Sequence, residues 1–116
     1  MKNLFRLSFM AIAVILFYAG CKKDDSSPST SGSPGANEVW MQSSTFSPSS
    51  RTVSVNTIVT WTNKDGVTHT VTSNSSAFSS GNISAGGTYS HQFTAAGSFP
   101  YHCAIHSGMT GTIVVQ

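Results

Sequence analysis

Phe99-Pro100-Tyr101-His102-Cys103-Ala104-Ile105-His106-Ser107-Gly108-Met109-Thr110-Gly111-Thr112-Ile113-Val114-Val115 decides how the rest of this chain reads. Both flanks have the β-branched and aromatic content of strands. Between them stand a thiol, an imidazole and a thioether in the order C-x2-H-x2-M. With a strand ending near Cys103 and another starting near Thr110, the intervening loop must fold back on itself. Its shortness directs Cys103, His106 and Met109 toward one point. His69, 34 residues before Cys103, is a fourth candidate donor and would tie a second part of the fold to the same place.

Outward from this segment, no stretch shows helical periodicity. Short β-rich runs alternate with turn residues, which predicts an all-β Greek-key sandwich of about seven to eight strands over residues 38–116. Strands are expected at 38–41, 52–55, 57–62, 68–72, 89–93, 99–103 and 110–115. Asn63-Lys64-Asp65-Gly66, Ala85-Gly86-Gly87 and Ala95-Ala96-Gly97 are turn signals. Val59 and Trp61 share one face of their run while Thr60 and Thr62 take the other, the period of a half-buried strand. Trp40, Phe46, Trp61, Phe78, Tyr89, Phe93, Phe99 and Ile113 are the expected core. A domain this small gains from an added crosslink such as a bound metal.

The N-terminus reads as a targeting segment over residues 1–20. Lys2 and Arg6 precede an apolar run from Leu7 to Ala19, too short for a membrane span and suited to a signal h-region. The run ends in Phe17-Tyr18-Ala19-Gly20-Cys21, which resembles a bacterial lipobox; Tyr18 departs from the usual aliphatic residue. Cys21 is then the lipidation site, the alternative being an ordinary cleavable signal. Either reading exports the chain, and the first makes it a membrane-anchored lipoprotein of the cell envelope or periplasm. Residues 21–37 form a Ser/Pro/Gly tether with nothing large enough to bury. Cys21 and Cys103 are not expected to pair, since one heads the tether and the other sits among candidate ligands.

Charge excludes one class of partner. The formal net charge is +2, but Lys2 and Arg6 account for it. From Cys21 onward, Lys22, Lys23, Arg51 and Lys64 balance Asp24, Asp25, Glu38 and Asp65. There is no basic patch with interleaved aromatics, so nucleic-acid binding has no electrostatic support.

Two imidazoles, a thiolate and a weak thioether are the donors of a copper electron-transfer site. Zinc is the competing ion, but its structural sites favour more Cys and His and rarely use Met. With these residues the domain resembles a cupredoxin of the plastocyanin, amicyanin and pseudoazurin kind. The likeness extends through Phe46-Ser47-Pro48, residues 59–65, His69-Thr70-Val71, Gly87-Thr88-Tyr89, Phe93, residues 97–101 and residues 109–115. The resemblance implies one type 1 copper per chain, held by His69, Cys103 and His106 with Met109 as the axial ligand. It places Thr70 where plastocyanins have Asn in a bracing role. It places Ile105 where many relatives have Pro, which restores a backbone N–H near the thiolate.

The function this implies is carriage of single electrons between redox partners, such as a cytochrome c or a membrane oxidoreductase. Copper capture or delivery without electron transfer is the alternative; the lack of a Met-rich or His-rich tract speaks against it. An enzyme is not expected, because copper enzymes of this fold need further His ligands and only His91 and His102 are spare. Strand alternation turns His102 away from Cys103, and His91 is expected on the surface.

Overall fold

Val59, Trp61 and Asn63 point inward from one strand, Ile58–Asn63, while Thr60 and Thr62 lie half-exposed on its other face. The alternation read from the sequence is therefore the alternation the backbone adopts. The structure, a computed structural model, describes residues 32–116. The expected signal peptide at residues 1–20, Cys21 and most of the tether lie outside the described residues.

Among the described residues eight strands run in chain order: β1 (Glu38–Gln42), β2 (Thr45–Ser47), β3 (Ser50–Val53), β4 (Ile58–Asn63), β5 (Thr72–Ser73), β6 (Thr88–Gln92), β7 (Gly97–His102) and β8 (Thr110–Val115). They form two four-stranded sheets, ordered β2-β1-β4-β6 and β3-β8-β7-β5. β1 pairs parallel with β4 and β3 parallel with β8; the remaining pairs are antiparallel. This is the expected all-β sandwich.

Between the sheets lies an aromatic core. Trp61 is fully buried, with Tyr101 edge-on to it at 5.4 Å between ring centroids and Phe78 at 6.0 Å. Phe46 closes on Tyr101 at 4.7 Å. Val39, Met41, Val53, Val59, Val71, Phe93, Ile113 and Val115 complete the packing.

Three expectations need correction. Trp40 is not in the core: Val39 and Met41 take the inward positions of β1, so Trp40 faces outward with the Lys64 ammonium 4.4 Å over its ring. Tyr89 and Phe99 are only partly buried against the core. The strand expected at 68–72 shrinks to an isolated bridge between His69 and Ile83 and the two residues of β5. The reason lies in where its amides go. Thr70 N donates to Cys103 Sγ at 3.3 Å and Val71 N donates to Ser80 Oγ at 2.8 Å, so side chains replace ladder partners. β2 has no counterpart among the expected strands.

Candidate metal centre

β7 delivers Cys103 to the end of one sheet, and the loop back to β8 is closed by its own backbone. Cys103 N donates to Met109 O at 3.0 Å, and Met109 N donates to His106 O at 3.2 Å. Gly108 turns the chain at φ 90°, a left-handed conformation that side chains resist. The fold-back expected from C-x2-H-x2-M is thus a hydrogen-bonded turn. It sets Cys103 Sγ 3.6 Å from His106 Nδ1.

His69 arrives from the opposite side. Its backbone is fixed by two bonds to Ile83: His69 N donates to Ile83 O at 3.1 Å, and His69 O accepts from Ile83 N at 2.8 Å. The ring has no solvent exposure. Its Nδ1 lies 3.1 Å from His106 Nδ1 and 3.9 Å from Cys103 Sγ. One donor atom from each of His69, Cys103 and His106 thus falls within 4.8 Å of the others. Met109 is buried beside them, its carbonyl held by Cys103 N.

The electrostatics favour a thiolate. Burial pushes the Cys103 thiol up, but the Thr70 amide, the His106 side chain and the amides of Ile105 and His106 outweigh it and bring it down to about 6. Thr70 acts twice. Besides its amide bond to sulfur, its Oγ1 accepts the amide of Ala104 at 2.7 Å and meets Thr72 Oγ1 at 3.0 Å. A threonine therefore braces the loop at this position. The Ile105 amide stands among the groups that favour the charged sulfur, and the Ile105 side chain is 48% exposed.

Asp65 is a further functional residue that the sequence pattern does not single out. Its Oδ2 lies 2.8 Å from His69 Nε2, on the side of the ring away from the other donors. Oδ1 accepts Ser43 N at 2.7 Å and Oδ2 accepts Ser44 N at 2.9 Å. Burial pushes this carboxyl up, and the bonds from Ser44, His69 and Ser43 more than offset that, leaving it below its ordinary value. Asn63 steadies the segment: its Oδ1 accepts Asp65 N, and its Nδ2 donates to Val67 O and Ile83 O. The available signal was the four-residue spacing from Asp65 to His69 across a turn.

The two remaining histidines stand apart from the cluster. His102 turns away from Cys103, as alternation requires, and its Nδ1 lies 2.6 Å from Asn74 Oδ1. His91 is not a fully exposed side chain. Its ring packs on Phe78 and Phe93 at 4.9 and 4.8 Å, and burial lowers its pKa. Among the described residues Cys103 is a free, buried thiol.

Known proteins resemble this chain in sequence and fold. The sequence model of the cupredoxin-like domain family matches residues 8–115. A plastocyanin from Scenedesmus fuscus is 37% identical over 84 residues, spanning 61% of this chain and 86% of that protein. Among solved structures, a purple cupredoxin from Nitrosopumilus maritimus superposes with a TM-score of 0.64 at 26% identity, covering 68% of this chain and 98% of the other. The oxidised form of a proline-to-alanine variant of amicyanin superposes with a TM-score of 0.65 at 30% identity, covering 71% of this chain and 83% of the other.

Proposed function

The chain belongs to the cupredoxin-like domain family, and on that footing we propose that it is a type 1 (blue) copper protein carrying single electrons between redox partners in the cell envelope. The observation that carries this reading is the convergence of His69, Cys103 and His106 donor atoms within 4.8 Å. Two imidazole nitrogens and a sulfur held toward its thiolate form fit copper, with Met109 as the weaker thioether donor. Bound there, copper supplies a one-electron couple.

The protein's own groups supply the rest. Cys103 is held by Thr70 N, His69 by Ile83 and Asp65, and the loop of His106 by the bonds that close it. Donors fixed this way need little rearrangement between oxidation states. The surrounding core excludes water: His69 has no exposure, and Cys103 and Met109 are each 2% exposed. His106 is only half-buried and is flanked by exposed Ala104, Ile105, Ser107 and Gly108. That small surface carries no charge, which suits brief docking of a small cytochrome or a membrane oxidoreductase.

Carriage, not catalysis, is the proposed role, since His91 and His102 lie on other partners. The apolar run before Cys21 supports export, and Cys21 itself supports a lipid anchor. An optical spectrum of copper-loaded protein tests the centre: an intense blue band is expected, and Cys103→Ser should abolish it. Rapid electron exchange with a small cytochrome tests carriage. Slow self-exchange together with stoichiometric copper transfer to an acceptor would instead establish a delivery module. Lipid labelling that is lost in Cys21→Ala tests the anchor.

A further inference from the structure

We propose that Asp65 is a positioning residue for the centre: it holds His69 with Nδ1 as the metal-facing atom and sets a fixed negative charge behind that ring. This inference rests on the copper reading above and deepens it. The geometry comes first. His69 presents its two nitrogens to different neighbours, Nε2 to Asp65 Oδ2 at 2.8 Å and Nδ1 to His106 Nδ1 at 3.1 Å and Cys103 Sγ at 3.9 Å. An ionised carboxylate only accepts hydrogen bonds. A neutral imidazole has one N–H, so if Nε2 donates to Asp65, Nδ1 is left with a bare lone pair aimed at the other donors.

The carboxylate is itself immobilised. Ser43 and Ser44 both adopt left-handed backbone, φ 56° and 54°, in the turn between β1 and β2. Their consecutive amides converge on the two carboxylate oxygens at 2.7 and 2.9 Å. With the His69 ring N–H, Asp65 collects three donors, and its side chain is only 17% exposed beside a fully buried ring. Such an acidic partner increases the electron-donating power of the ring and favours the more highly charged state of a bound metal. It also joins the β1–β2 turn to a ligand on a different part of the fold.

The test uses the full chain with Cu(I) and Cu(II) as probes. Asp65→Asn keeps the shape and removes the charge. Cu(II) affinity should fall about 10-fold or more, Cu(I) affinity should fall less, and the midpoint potential should rise. Asp65→Glu should recover part of the shift. A purely structural role would lower thermal stability while leaving the potential and the Cu(II)/Cu(I) affinity ratio unchanged, and that result overturns the proposal. Nitrogen NMR of His69 in copper-free wild-type protein is independent of both variants. A proton on Nε2 is expected, and a proton on Nδ1 with Nε2 bare overturns the proposal even if Asp65→Asn fails to fold. If wild-type protein shows no blue band, the copper reading fails, while the tautomer still reports on Asp65.

Discussion

The amide of Thr70 donates to Cys103 Sγ at 3.3 Å, while its hydroxyl accepts the amide of Ala104, the residue next to that cysteine. One side chain and its own backbone thus hold both the sulfur and the first peptide of the ligand loop. Thr70→Val keeps the shape and deletes the hydroxyl. Ala104 N then loses its partner in a partly buried setting, which should cost about 1–3 kcal/mol. Chemical denaturation of the copper-free protein measures this directly. The blue band should persist, because the amide bond to sulfur is untouched.

Ile105→Pro removes an amide that favours the charged sulfur. In the copper protein that N–H draws electron density from the thiolate and so favours the reduced state. The midpoint potential should fall in the variant. An unchanged or higher value would reject this role for the Ile105 amide.

Gly111→Ala tests the packing behind the centre. A Cβ there would lie 2.5 Å from Tyr101 Oη and 2.6 Å from Cζ. Tyr101 cannot yield, since it is fully buried between Phe46 and Trp61. Destabilisation of about 1–3 kcal/mol is expected, read as a lower midpoint of unfolding. Gly66→Ala, where a Cβ meets nothing within 4 Å, gives a comparison in open space.

Glu38 gives a pH dependence remote from the metal. Burial raises its pKa, but bonds from Gly35 N and Thr62 Oγ1, with the nearby Trp40 side chain and the charge of Lys64, carry it below the ordinary 4.5. A carboxyl depressed on folding contributes stability above its unfolded pKa, and that contribution is lost as pH falls through the lower, folded value. Glu38→Gln should therefore cost about 1 kcal/mol or less at neutral pH. Denaturation curves of the two proteins should converge in acid below pH 4.5.

How much of this was legible depended on whether the signal was local. The C-x2-H-x2-M spacing brings Cys103, His106 and Met109 together because a short hairpin-like loop leaves them little choice. Alternation in residues 58–63 gave β4 its buried face. Trp40 shows that register outranks size: Val39 and Met41, two smaller side chains, own the inward face of β1. The segment around His69 departs in another way. Its threonines and valine suggest a strand, but its amides are taken by Cys103 and Ser80, and neither partner is near in sequence. Asp65 was hidden for the same reason. In sequence it is a turn residue balancing a lysine, and only the folded chain brings the Ser43 and Ser44 amides to it.

The bond between Thr70 and Cys103 spans 33 residues, so the centre is complete only once distant parts of the chain have met. A chain that has not yet paired β5 with β7 has a thiol and a nearby imidazole but no His69 beside them. Contacts this distant form only after the entropy of a long loop has been overcome. The selective binding set is thus a product of folding rather than its seed. An ion bound to the loop alone would be held by fewer donors than one in the folded centre, which adds His69.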